Sequence, residues 1–200
     1  MYTYWGHRFE HMTMSSASNN QNDNLDNRFK ESVNTWREFG VIFKSKLGGH
    51  RLIFGAEVDG LDTNGTSYVE LKTCRVLKDQ IQYSAFYQNK LMSFWAQSFL
   101  AGIPKILVGF RSDRGMVKSI EYIDVNEIPR ITRGKVTWCP ETMLNFGILF
   151  LDWLNEQMKQ LSEDEVFRLS FVGDSDEVIL KKLDNYSPFI SSEFQDAFYY

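Results

Sequence analysis

Two short segments, Arg51-Leu-Ile-Phe-Gly-Ala-Glu-Val-Asp59 and Ser67-Tyr-Val-Glu-Leu-Lys72, constrain this chain more than any other part of it. Side chains of a β-strand alternate faces, so Glu57 and Asp59 share one face of the first strand, and Glu70 and Lys72 share one face of the second. Residues 60–65 between them contain an Asn-Gly pair, whose residues tolerate the positive φ of a tight turn. An antiparallel pairing is therefore expected, with three carboxylates and one ammonium facing one another. Clustered carboxylates resist joint ionisation unless a cation neutralises them, and hard oxygen donors suit Mg²⁺ or Mn²⁺. A centre of this make-up fits hydrolysis of a phosphodiester or a pyrophosphate. The competing reading is a solvated hairpin with a cross-strand Glu–Lys pair. Against it, Val58, Val69 and Leu71 point to the opposite face, which predicts a hairpin packed on one side.

A chain of 200 residues that is 43% hydrophobic can bury one sizeable core, and a single domain over residues 1–200 is expected. The net charge of -4 argues against a broad basic surface for nucleic acid. Charge is segregated along the chain, with seven Lys/Arg against four acids from Lys105 to Lys135 and four against eleven from Asp152 to Tyr200. Ordinary solvated faces explain this better than an RNA track. Cys74 and Cys139 lie far apart without a C-x-x-C or a neighbouring histidine pair, so neither a disulfide framework nor a zinc site is indicated. The most apolar stretch, Phe146 to Leu154, holds Asp152 and is too short to span a bilayer, and no basic segment with an apolar run opens the chain. A soluble intracellular protein is expected.

Residues 14–27 are rich in Ser and Asn and read as a mobile polar loop. Glu38 to Lys46, Arg51 to Asp59 and Ser67 to Thr73 read as a three-stranded meander. Ile81 to Ala101 places Tyr87, Leu91, Phe94, Trp95 and Phe99 at helical spacing and stops at Gly102 before Pro104. Lys105 to Arg111 and Met116 to Val125 form a second antiparallel pair, Pro140 to Leu161 a second helix, and Val166 to Val172 with Val178 to Leu183 a terminal hairpin. The expected class is α+β, a mixed, mostly antiparallel sheet flanked by two principal helices. Among other candidates, His7 and His11 at i and i+4 lack a local third ligand and read as surface residues. The aromatic cluster of Phe86, Tyr87, Phe94, Trp95 and Phe99 reads as core rather than a base-stacking platform. Arg111 and Arg114 suit phosphate contacts or a solvated turn. The sequence holds no Walker-type glycine loop, Ser-His-Asp set or catalytic cysteine context.

The D-(x10)-E-x-K spacing of Asp59, Glu70 and Lys72 resembles the core of PD-(D/E)xK nucleases. A longer run of motifs is more specific. Gly6-His-Arg-Phe-Glu10, Glu57-Val-Asp59, Glu70-Leu-Lys72, Lys90-Leu91, Trp95-Ala-Gln-Ser-Phe99, Gly102-Ile-Pro104 and Val108-Gly-Phe-Arg111 together resemble the DXO family of eukaryotic RNA 5′-end hydrolases. That family includes the fungal protein that accompanies the nuclear Rat exoribonuclease. The likeness runs from about Met1 to Phe150 and is weaker over the acidic residues 152–200. It implies a metal-dependent hydrolase that removes pyrophosphate from 5′-triphosphate RNA, or incomplete or NAD caps, with 5′-to-3′ exoribonuclease activity in several members. It further implies that Glu10, Asp59, Glu70 and the main-chain carbonyl of Leu71 bind two divalent ions, with Glu57 assisting through water. Lys72 would orient or activate the attacking water, and Gln97 would hold substrate or water near the scissile phosphate, with Arg111 as the candidate phosphate contact. An RNA 5′ end, a nuclear 5′-to-3′ exoribonuclease and a nuclear location are the implied partners and setting.

Chains of that family extend well to the N-terminal side of the Gly6–Glu10 element. Two readings follow, a fragment or a shortened paralogue. The fragment reading predicts exposed apolar surface on the sheet and a tendency to aggregate. The shortened paralogue is an inactive relative that binds and stabilises an exoribonuclease, and the five charged groups Glu10, Glu57, Asp59, Glu70 and Lys72 favour the hydrolase over it.

Overall fold

Alternating apolar and polar residues on either side of Gly48-Gly49 make the first hairpin. Strands β1 (Gly40–Leu47) and β2 (His50–Glu57) pair antiparallel from Leu47↔His50 to Gly40↔Glu57. Gly48 supplies the turn with φ +57, a conformation glycine adopts without penalty. Val41, Phe43, Leu52 and Phe54 face inward while Ile42 and Ile53, on the other face, are 80% and 74% exposed. The computed structural model that displays this describes residues 2–14, 25–36, 39–162, 165–184 and 191–198.

Before the hairpin stand α1 (Tyr2–Thr13) and α2 (Leu25–Lys30). Arg28 ties the two, donating to the carbonyls of Met12 and Met14 at 3.3 and 2.7 Å. Most of the loop expected over 14–27 lies outside the described residues; its ends differ from the expectation, since residues 25–27 are helical and Met14 packs against Gly60.

A separate four-stranded sheet holds β3 (Gly60–Leu61), β4 (Tyr68–Arg75), β5 (Lys105–Arg111) and β6 (Val117–Asp124) in that order. The Asn64-Gly65 turn does bring its flanks antiparallel, but only across Gly60↔Val69 and Leu61↔Tyr68. The expected three-stranded meander is therefore corrected. β2 takes β1 as its partner and ends at Glu57, while β4 takes β5 as a parallel neighbour.

Parallel neighbours need a crossover. Here it is a helical stretch from Gln80 to Ala101, composed of α3 (Gln80–Ala85), a π-helical turn (Phe86–Leu91) and α4 (Met92–Ala101). Asp79 caps its start by accepting the N–H of Gln82 at 2.9 Å. Gly102, left-handed at φ +66, ends it as expected. Phe86, Leu91, Phe94 and Trp95 pack with Ile106, Val108 and Phe110 of β5 and with Val125 and Ile128. Each such buried side chain contributes about 1.5–3 kcal/mol. On the opposite sheet face Phe9 of α1 packs with Val69, Leu71 and Leu107.

Beyond β6 come a short 3-10 turn (Val125–Glu127), α5 (Ile128–Thr132), α6 (Pro140–Met158), the antiparallel pair β7 (Phe167–Val172) and β8 (Glu177–Lys182), and α7 (Ser192–Phe198). The single domain expected over 1–200 meets a chain that divides into two compact units, Met1–Leu149 and Phe150–Tyr200, with the boundary inside α6. Among the described residues no helix is long and apolar enough to cross a membrane.

Candidate active site

Strand β4 is paired along both edges, by β3 and β5, and its faces are covered by the crossover helix on one side and by Phe9 of α1 on the other, so that Glu70 is only 3% exposed. The register Glu70↔Ile106 and Lys72↔Val108 sets both side chains on the face covered by the crossover helix. A buried carboxylate is tolerated only with partners. Glu70 has two on one oxygen, Oε1, which accepts from Gln97 Nε2 of α4 at 2.9 Å and forms an ion pair with Lys72 Nζ. The Lys72 ammonium in turn lies 5.9 Å from the centroid of the Phe94 ring.

Asp59 reaches the same place by a break in the strand. After Glu57, Val58 is buried and its N–H donates to the Phe39 carbonyl at 3.0 Å. The chain then turns into β3, and continuing the Gly60↔Val69 pairing by one step sets Asp59 opposite Glu70. Asp59 Oδ2 accepts the N–H of Leu71 at 2.5 Å. Burial pushes the Asp59 carboxyl from 3.8 to about 7, with the charges of Glu70 and Glu10 adding to the rise and the Leu71 N–H and the Lys72 ammonium opposing it. Glu10 comes from α1, one residue beyond the buried Phe9, and its Oε2 lies 3.5 Å from His7 Nδ1.

Glu10, Asp59, Glu70, Lys72 and Gln97 are thus gathered, and Leu71 joins through its main chain. Glu57 stays exposed at the last residue of β2, opposite Gly40, so the long hairpin expected to face it toward Glu70 and Lys72 does not form. Of the acids, it is Glu10 and Glu70 that raise Asp59. Arg111 stands apart. Its register partner on β4 is Arg75, five residues past Glu70, which at about 3.3 Å per residue is about 16 Å along the strand. The Arg111 guanidinium stacks 4.4 Å from the Trp5 ring, a contact that no spacing in the sequence marks. His7 and His11 do not share a site, since His11 Nε2 lies 3.4 Å from Glu31 Oε2 instead.

The donor chemistry fits a hard divalent cation. Glu10, Asp59 and Glu70 set three carboxylates against the single ammonium of Lys72, and the donors are all oxygens. In the side-chain positions seen, Lys72 and Gln97 hold one oxygen of Glu70 and the Leu71 N–H holds one of Asp59. Among the described residues no three His, Cys, Asp or Glu side chains form a ready metal-holding group, so holding an ion would require these carboxylates to rotate.

Residues 1–195 match the family described as RAI1 like PD-(D/E)XK nuclease. This chain belongs to that family. Among its RAI1-like relatives, the decapping nuclease RAI1 of Aspergillus fumigatus is 33% identical over 171 residues, covering 78% of this chain and 46% of the relative. The human decapping and exoribonuclease protein is 32% identical over 164 residues, covering 78% and 40%. The crystal structure of Candida albicans Rai1 in complex with pU5 and Mn²⁺ superposes with a TM-score of 0.78 at 26% identity, covering 90% of this chain and 50% of that one. The RAI1-like match bears out the α+β, PD-(D/E)xK-type fold read from the sequence. The chain spans about half the length of the curated relatives it matches.

Proposed function

We propose that this RAI1-like chain is a metal-dependent hydrolase of RNA 5′ ends that serves mRNA 5′-end quality control. Its substrates are 5′-triphosphate RNA, cleaved to release pyrophosphate, and incomplete or NAD caps, with 5′-to-3′ exoribonuclease activity alongside. The observation that carries the reading is the meeting of Asp59, Glu70 and Glu10 beside a lone Lys72, with Asp59 held near neutrality at about 7. The names of the relatives and the pU5 and Mn²⁺ bound to the Candida albicans protein support the same chemistry. The resemblance to the DXO family supports two Mg²⁺ or Mn²⁺ ions, a nuclear setting and a 5′-to-3′ exoribonuclease as partner.

Glu10, Asp59, Glu70 and the Leu71 carbonyl would hold the ions, with Glu57 assisting through water. When bound, such ions make water acidic enough to attack near neutral pH and offset charge on the phosphate. The chain's own groups do the rest. In the ion-free chain Asp59 keeps its proton to about pH 7, and beside a bound cation it would lose that proton at lower pH and become a full anion. Lys72, fixed by Glu70 and the Phe94 ring, presents a cationic donor to an attacking water or a phosphate oxygen. Gln97 keeps the Glu70 carboxylate oriented through its amide. Arg111, farther along the sheet, suits contact with a more distant phosphate of the substrate.

Purified protein with Mn²⁺ is expected to release pyrophosphate from a 5′-triphosphate oligoribonucleotide, and Asp59→Ala or Glu70→Ala to abolish the release. Turnover persisting in both variants would overturn the site. Calorimetry gives an independent reading, because each variant is expected to lose Mn²⁺ uptake while keeping its far-UV circular dichroism.

A further inference from the structure

The crossover helix is not α-helical throughout, and the irregular turn falls just before the face that meets Glu70. We infer that the π-helical turn Phe86–Leu91, gripped by the loop of residues 133–139, sets the rotation of α4 and thereby places Gln97 on Glu70. This rests on the hydrolase reading only in counting Gln97 among the working groups.

Phe86 and Leu91 are both buried, at 6% and 0% exposure, although they are five residues apart. In an α-helix five residues subtend about 500°, which would leave the two side chains about 140° apart around the axis. A wide turn with i→i+5 hydrogen bonds lets both face the sheet. One residue more or less is about 100° of rotation and 1.5 Å of rise. Without the wide turn Gln97, six residues beyond Leu91, would swing away from the oxygen it now meets at 2.9 Å.

A single π turn inside an α-helix is rare, and this one is held by its own side chains and by those of the loop against it. Gln88 Nε2 donates to Thr137 Oγ1 at 2.8 Å, and the Thr137 N–H donates back to Gln88 Oε1 at 2.9 Å. Trp138 Nε1 donates to the Tyr87 carbonyl at 3.1 Å, and Asn89 Nδ2 to the Ala85 carbonyl at 3.1 Å. The Trp138 ring also lies 6.1 Å from Trp95, two residues before Gln97. Trp138 therefore touches the wide turn and the regular helix after it. Gln88, Thr137 and Trp138 are positioning residues that act on the site through Gln97.

The side-chain amide of Gln97, identified in nitrogen-15 spectra by its loss in Gln97→Ala, reports the placement directly. Glu70→Ala marks where that amide resonates without its partner. Combined Trp138→Phe and Gln88→Ala substitution is expected to move the Gln97 signals toward that mark while circular dichroism stays unchanged. Deletion of Asn89, which shortens the turn by one residue, is expected to move them fully. Signals unmoved in the folded double variant overturn the inference, and so does a folded deletion with a wild-type Gln97 amide; should the deletion not fold, the double variant decides. On 5′-triphosphate RNA the double variant is expected to lower kcat on the order of tenfold with KM held, and to add nothing once Gln97→Ala is present. Wild-type protein without turnover would count against the hydrolase reading and leave the amide result to judge placement.

Discussion

At Asp59 burial and two neighbouring acids keep the proton on until about pH 7, against 3.8 for a free side chain. In metal-free protein between those values the folded state holds a proton that the unfolded chain has lost. Stability therefore falls as pH rises through that window and levels off above it, by on the order of a few kcal/mol. Thermal melts in EDTA are expected to give a lower Tm at pH 8 than at pH 5, and Asp59→Asn to flatten the difference; an unchanged slope in that variant would place the titrating group elsewhere. Strand alternation alone was enough to read Glu70 and Lys72 as one face. It misled at Glu57, because the break at Val58 interrupts the alternation before Asp59. Glu10 was accessible only through family resemblance, since its approach depends on how Phe9 docks a distant helix.

Among the elements, α1 is seated by one close approach. Gly109 of β5 lies beneath Phe9, and a Cβ there would stand 2.7 Å from the ring. A rigid aromatic ring has little room to yield, so Gly109→Ala is expected to cost about 1–3 kcal/mol, seen as a Tm several degrees lower. Because Glu10 follows Phe9, Mn²⁺ affinity measured by calorimetry is expected to weaken in the same variant. Gly55→Ala, with nothing within 4 Å of the new Cβ, serves as the control and is expected to change neither reading. Helical spacing made the Ile81–Ala101 helix legible, including its stop at Gly102. The wide turn leaves no mark in the sequence, because Leu91, Phe94 and Trp95 keep ordinary spacing among themselves and only Phe86 departs from it. Strand pairing was legible only where a turn adjoins it. The parallel partnership of β4 with β5 is fixed by the packing of a helix in between, which local residue types do not encode.

For the whole molecule, composition bounds how much can be buried, and the chain divides into the compact units Met1–Leu149 and Phe150–Tyr200. Apolar side chains stand exposed on both the β1–β2 hairpin and the four-stranded sheet. Ile42 and Ile53 share the outer face of β1 and β2 at 80% and 74% exposure, and Ile120 and Tyr122 on the edge strand β6 are 53% and 66% exposed. Concentration-dependent self-association is expected in sedimentation velocity, and Ile42→Lys with Ile53→Lys is expected to reduce it; a monomer at every concentration would show that these faces do not attract one another. The parallel pairing of β4 with β5 has a broader consequence, because it makes strand, crossover and strand a single covalent stretch. Four of the five gathered groups fall within residues 59–97, and Glu10 alone arrives from outside. One contiguous segment therefore encodes nearly the entire centre, and only the leading helix, seated through Phe9, brings a further charge to it from elsewhere in the chain.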